Sequence, residues 1–224
     1  MPLSKTEQQH REEIVEIGRR LHQQGFIAGT DGNLSVRIDS ERILTTPTGM
    51  SKGMLRPEDL VLVDKKGSRL SGFREASSEL GMHLTIYEFR PDANAVVHAH
   101  PPTATGYAAA GLPLDKALLA EVVVVLGSVP LARYATPGSP ALSEVLRELI
   151  PHHDAILMAN HGVVTCGHDL LQAYFRMETV EHYARVSLVT ELLGKQALLS
   201  SQDVEKLMEL RRRYFGSTNQ PFHE

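Results

Sequence analysis

Two histidines, His98 and His100, flank Ala99 in a stretch that is interrupted at once by Pro101. If Ala95–Ala99 is a strand, residues two apart share a face, and both imidazoles can converge on one ion at the strand end. A third histidine, His161, follows the apolar run Ala155–Met158 and precedes Gly162, again where a strand should end. Three neutral imidazoles with one open position are a common catalytic zinc arrangement. A pair of partly buried histidines at a strand end is the plainer alternative for a lone H-x-H, and spacing alone leaves both open. His10, His22, His152, His153, His182 and His223 fall in helical or terminal stretches and are expected on the solvated surface.

The segment Ser77-Ser78-Glu79 carries a second kind of chemistry. Two hydroxyls and a carboxylate before an apolar-periodic stretch read first as a helix N-terminus, with Ser77 or Ser78 capping and Glu79 facing the dipole. The same free N–H groups and hydroxyls suit a phosphate, and Glu79 beside a metal is placed to act as ligand or base. Gly29-Thr30-Asp31-Gly32-Asn33 and Thr46-Pro47-Thr48-Gly49 add small residues, exposed N–H groups and further donors. Such loops cradle a dianion, although they equally make ordinary turns. Neither contains a Walker or dinucleotide-binding pattern.

These groups must be held by a scaffold, and the hydropathy pattern outlines it. A capping box of Ser4 and Glu7 opens a first helix with Ile14, Ile17 and Leu21 inward, ended by Gly25. Strands are expected at 34–38, Arg42–Thr45, 60–64, Ala95–Ala99, 122–126 and 131–134, with an antiparallel pair at Ala155–Met158 and 163–166. Helices are expected at 77–89, from Thr103, and at 139–149, 169–193 and 203–214. Strands grouped between helices point to a single α/β domain over residues 1–224, with a central mixed, mainly antiparallel sheet and helices packed on it.

Composition narrows the class. Length 224, at about 150 residues per domain, predicts one domain. Net charge is −4 and neither sign dominates a long stretch, which argues against a nucleic-acid or anionic-membrane surface. No apolar run is long enough to span a bilayer, and the polar stretch 1–10 lacks a signal-peptide core, so a cytoplasmic protein is expected. The single cysteine, Cys166, excludes an internal disulfide framework and a zinc site with two or four cysteines.

The ordered series G-T-x-G-N-L-S-V-R (29–37), T-P-T-G (46–49), S-S-E (77–79), R-P-D-A-N-A-V-V-H-A-H (90–100), Y-A-T-P-G (134–138) and N-H-G (160–162) resembles the class II aldolase/adducin family. The likeness runs from about residue 7 to 195 and is greatest to bacterial L-fuculose-phosphate aldolases. It implies the family's three-layer fold and one zinc ion held by His98, His100 and His161. Glu79 would be a ligand at rest and the base once substrate displaces it. Thr30, Asn33, Thr48, Gly49, Ser77 and Ser78 match positions that bind substrate phosphate. The resemblance also implies a homotetramer with active sites between subunits, and an aldolase acting on a ketose 1-phosphate through a dihydroxyacetone phosphate enediolate.

Other activities share this scaffold. Related 4-epimerases carry Asp after the paired serines, so Glu79 favours an aldolase. Glu121 lies in a region where the methylthioribulose-1-phosphate dehydratase branch has an acid/base Glu, but that branch lacks Glu at the position of Glu79. A 3-oxo-sugar-acid-phosphate decarboxylase is a further alternative, with Arg133 or Arg74 facing the substrate carboxylate. A non-enzymatic adducin-like scaffold is disfavoured because all three histidines and Glu79 are retained. The cluster Arg211–Arg213 is expected on a solvated helix face.

Overall fold

In the computed structural model, which describes residues 5–215, eight strands form one sheet between two helical layers. The strands are β1 (Asn33–Arg37), β2 (Arg42–Thr45), β3 (Val61–Asp64), β4 (Arg69–Ser71), β5 (Ala95–Ala99), β6 (Leu131–Ala132), β7 (Ala155–Met158) and β8 (Gly162–Gly167). Their order is β4-β3-β2-β1-β5-β8-β7-β6, and only the β6–β7 pair is parallel. The helices are α1 (Glu7–Gln23), α2 (Leu80–Phe89), α3 (Pro102–Ala110), α4 (Ala120–Val125), α5 (Pro140–Leu146), α6 (Leu170–Leu192) and α7 (Ser201–Phe215). The expected α/β class with a mainly antiparallel sheet is thus observed.

Alternation along the central strands divides the core. Leu34, Val36, Val97 and Ala99 pack with α1, α3 and α6 on one face. Val96, Val164 and Cys166 pack with α2 and α5 on the other. Because side chains two apart share a strand face, Val96 places His98 on the α2 side, and Asn33 and Ser35 lie opposite Leu34 and Val36, also toward α2. The register sets Asn33 directly across from His98.

Several expectations need correction. The cap of α1 is Thr6 with Gln9, a reciprocal capping box, while Ser4 lies outside the described residues. The helix after the paired serines starts at Leu80 with Glu79 itself as N-cap, and Ser77 Oγ accepts from the Glu79 N–H at 3.3 Å. The valine run expected as a strand at 122–126 is instead helical through Val125, with Leu126 as the C-cap. Val122 and Leu126 enter the main core one turn apart while Val123 packs toward Met208 of α7, so a 3.6-residue period serves two buried sides. The short edge strand β4 was not anticipated; its three residues are all exposed and carry no buried face to signal it. His153 is buried rather than solvated, and Arg211 is wholly enclosed. His223 lies outside the described residues. No helix among the described residues is long and apolar enough to cross a membrane.

Candidate metal centre and anion cradle

The three histidines meet at one end of the sheet. His98 ends β5 fully buried, and its Nδ1–H donates to the Val163 carbonyl at 2.8 Å. That bond leaves Nε2 as the lone-pair nitrogen pointing outward, the arrangement a metal-binding imidazole needs. His100 follows directly, its backbone N–H donating to the Phe26 carbonyl at 2.8 Å. The α3 N-terminus behind it is held by the buried Glu181, whose carboxylate accepts from Thr103 and Ala104 N–H groups at 2.9–3.2 Å. His161 sits in the three-residue loop joining Met158 to Gly162, with Asn160 in the left-handed region at φ 55°. Gly162 is required here, because a Cβ would lie 2.8 Å from the Ala99 carbonyl oxygen and overlap Cδ2 of the His100 ring.

The nearest ligand atoms of the three side chains all lie within 4.8 Å of one another, and the ring centroids are 4.7–5.2 Å apart. Glu79 closes the cluster: Oε2 is 3.3 Å from His98 Nε2 and Oε1 is 3.2 Å from His161 Nε2. Burial acts to raise the Glu79 carboxyl, and the close imidazoles of His161 and His98 outweigh it, holding the group well below the usual carboxylate range. Burial, with the charges of His98 and His161, lowers His100 to about 4 against the pull of Asp31 and Glu79. Glu79 Oε1 and His161 Nδ1 are buried without a hydrogen-bond partner among the described residues. Ionised carboxylate, neutral imidazole and an unsatisfied ligand oxygen together fit a divalent cation.

Around this cluster the loops singled out in the sequence come together. Ser77 N–H donates to the Thr46 carbonyl and Thr48 N–H to the Glu75 carbonyl, both at 3.1 Å, with Pro47 bridged to Ala76. This short antiparallel pairing brings Thr48-Gly49 beside Ser77-Ser78. Thr30, Thr48, Gly49 and Ser78 are exposed, Ser77 is half-buried and Asn33 is buried. Asn33 Nδ2 donates to Glu79 Oε2 at 2.8 Å.

Two residues escaped the sequence reading. Lys52 is buried, and its ammonium donates to the Thr30 carbonyl at 2.5 Å and the Met50 carbonyl at 2.9 Å, tying the two glycine-bearing loops together. Burial lowers it to about 8, opposed by Asp31 and Glu79. It lies three residues after Gly49 in a turn-rich stretch, where nothing in the local sequence signals burial. The other is His83, whose Nε2 lies 2.5 Å from Asn33 Oδ1. Its signal was the spacing Glu79, His83, Tyr87, which puts one stripe along α2. Glu121 is exposed in the first turn of α4, outside the cluster. Arg74 is engaged with Asp59 at 2.7 Å, whereas Arg133 is exposed.

The model of the Class II Aldolase and Adducin N-terminal domain matches residues 12–188. An L-fuculose phosphate aldolase of Methanococcus maripaludis is 37% identical over 180 residues, 79% of this chain and 95% of the relative. A 3-oxo-tetronate 4-phosphate decarboxylase of Escherichia coli O6:H1 is 36% identical over 190 residues, 83% of this chain and 89% of the relative. Among solved structures, an L-fuculose 1-phosphate aldolase superposes with a TM-score of 0.84 at 32% identity, covering 89% of this chain and 94% of its own.

Proposed function

The chain belongs to the class II aldolase and adducin family, and from that premise we propose a zinc-dependent aldolase that cleaves or forms a ketose 1-phosphate of the L-fuculose 1-phosphate type. The observation that carries this reading is Glu79, a carboxylate set against two imidazoles of a histidine triad and flanked by donors suited to phosphate. His98, His100 and His161 would hold the ion, with the Glu79 carboxylate beside it as a further ligand. Zinc bound there supplies Lewis acidity toward the carbonyl and hydroxyl oxygens of the substrate.

The chain's own residues do the rest. The Glu79 carboxylate removes a proton from the hydroxymethyl carbon of dihydroxyacetone phosphate, leaving an enediolate to attack an aldehyde; cleavage runs the same steps backward. Thr30, Thr48, Gly49, Ser77 and Ser78 hold the phosphate, and Asn33, with one amide N–H on Glu79, has the other to offer it. Anchoring the phosphate decides which carbon faces Glu79, so binding energy becomes orientation. No lysine nucleophile is needed. The reading includes a cytoplasmic homotetramer whose neighbours complete the pocket, and the exposed Leu188, Val189, Leu192 and Leu193 on and after α6 support such a contact.

The test is proton exchange on dihydroxyacetone phosphate in D₂O, followed by NMR with zinc-loaded protein and no aldehyde. Stereospecific loss of one hydroxymethyl proton is expected. Absence of exchange with zinc bound would move the assignment to the second reading, a 3-oxo-sugar-acid-phosphate decarboxylase, which the Escherichia coli relative favours. Release of CO₂ from such an acid would then be the readout, with exposed Arg133 as the guanidinium for its carboxylate.

A further inference from the structure

We infer that His83 is a positioning residue for the Glu79 carboxylate, acting through the side-chain amide of Asn33. The inference rests on the reading of Glu79 as the group that meets substrate. Its basis is a match between two periodicities. On β1, Asn33, Ser35 and Arg37 share a face at intervals of about 6.6 Å. On α2, Glu79, His83 and Tyr87 share a stripe at intervals of about 6.0 Å. The two rows lie against each other and engage along their length. Asn33 meets Glu79 at 2.8 Å and His83 at 2.5 Å, Ser35 meets His83 at 2.7 Å and Tyr87 at 2.8 Å, and the Arg37 guanidinium lies 4.7 Å from the Tyr87 ring centroid.

The hydrogen bonds admit one direction. The ionised Glu79 only accepts, so Asn33 presents its NH₂ there and its carbonyl oxygen to His83. His83 must then carry its proton on Nε2 and accept at Nδ1 from the Ser35 hydroxyl. Ser35 in turn accepts from Tyr87. Reversing any member would place Asn33 Oδ1 against the carboxylate, two acceptors 2.8 Å apart. Burial, reinforced by the charge of His98 and opposed by Glu79, lowers His83 to about 3, so the ring is neutral under working conditions. A chain of donors running one way polarises toward its anionic end. The outcome is an amide that cannot flip and a carboxylate whose Oε2 is steered.

Histidine ring ¹⁵N spectra of the metal-free protein test the direction, with the His83 signal assigned by its loss in His83→Gln. An Nε2–H tautomer is expected, and an Nδ1–H tautomer overturns the inference. For the role, His83→Leu is expected to lower kcat by about 10- to 100-fold, the size typical of outer-shell partners, with KM and zinc stoichiometry within twofold. His83→Gln, which restores a donor toward Asn33, is expected to recover most of that loss. Unchanged kcat in the Leu variant, or no recovery with Gln, overturns the positioning role. If His83→Leu does not fold, the tautomer and the Gln variant still decide. If wild-type protein shows no dihydroxyacetone phosphate exchange, the aldolase reading fails, while the tautomer and the variants, assayed by decarboxylation, still judge His83.

Discussion

Strands β5 and β8 carry a buried polar cluster at each end, and the two are built on opposite plans. At one end the ligand atoms of His98, His100 and His161 lie within 4.8 Å of one another, Glu79 packs against two of them, and an oxygen of Glu79 is left without a hydrogen bond. At the other, Asp154 is wholly buried and meets Arg90 at 2.8 Å, Arg176 at 2.7 Å and Arg211. Burial acts to raise Asp154, and Arg176, Arg211 and Arg90 outweigh it, keeping the carboxyl below its ordinary value. The guanidiniums spend further donors on the carbonyls of His153, Cys166 and Val124. One cluster turns its ligands inward on a shared point; the other spreads its donors over protein acceptors. Asp154 thereby fastens α2, α6 and α7 to one strand end through Arg90, Arg176 and Arg211. Burial and charge alone therefore do not mark a site. Convergence of unsatisfied ligand atoms does.

The contrast is breakable. Asp154→Ala removes the buried carboxylate that Arg90, Arg176 and Arg211 share, leaving Arg90 its second partner Asp92, and should cost about 3–5 kcal/mol in urea unfolding, with zinc content per folded chain unchanged. Glu79→Gln should do the reverse: stability and zinc content largely kept, and proton exchange on dihydroxyacetone phosphate reduced about 10³-fold, within the range for a general base. Equal damage to stability from both variants would erase the distinction. Removing zinc with a chelator should lower the unfolding free energy by about 2.7 kcal/mol relative to protein held at 100 times the dissociation constant, and adding Asp154→Ala should not change that increment.

The smallest effect is in the pH dependence of the metal-free protein. His83, lowered to about 3, and His100, lowered to about 4, bind fewer protons when folded than when unfolded. Stability contributed by their neutral forms is complete above about pH 6.5 and declines as pH falls toward 4, because the unfolded chain takes up protons first. Thermal unfolding across that window should show the decline, and His83→Gln should flatten it. A melting temperature independent of pH between 6.5 and 4 would contradict both assignments.

Much of the candidate site was legible because the residues that could ligate an ion sit at places that local rules specify. His98 and His100 are two apart at a strand end, His161 is the last residue of a tight turn, and Glu79 starts a helix. The central strands could be read because β-branched alternation marks a two-sided core. The valine run at 122–126 misled for the same reason: β-branched residues suit a strand, yet here packing on both sides, against the main core and α7, selected a helix. Arg211 looked like one member of a solvated basic cluster, and nothing near it in sequence announces Asp154, 57 positions away.

By itself, the chain's order of residues determined which groups could ligate, which could bind an anion and which element each would end. Those properties depend on neighbours within one turn of helix or two strand residues, a distance over which backbone geometry is nearly invariant. Tertiary structure alone decided the rest: that α2 lies on β1 in the register that hands Glu79 to Asn33 and Asn33 to His83, that Lys52 stitches the Thr30 loop to the Met50 carbonyl, and that Asp154 collects three distant arginines. Each is a contact between segments whose relative placement is set by how the whole core packs, and close packing has no local signature in sequence.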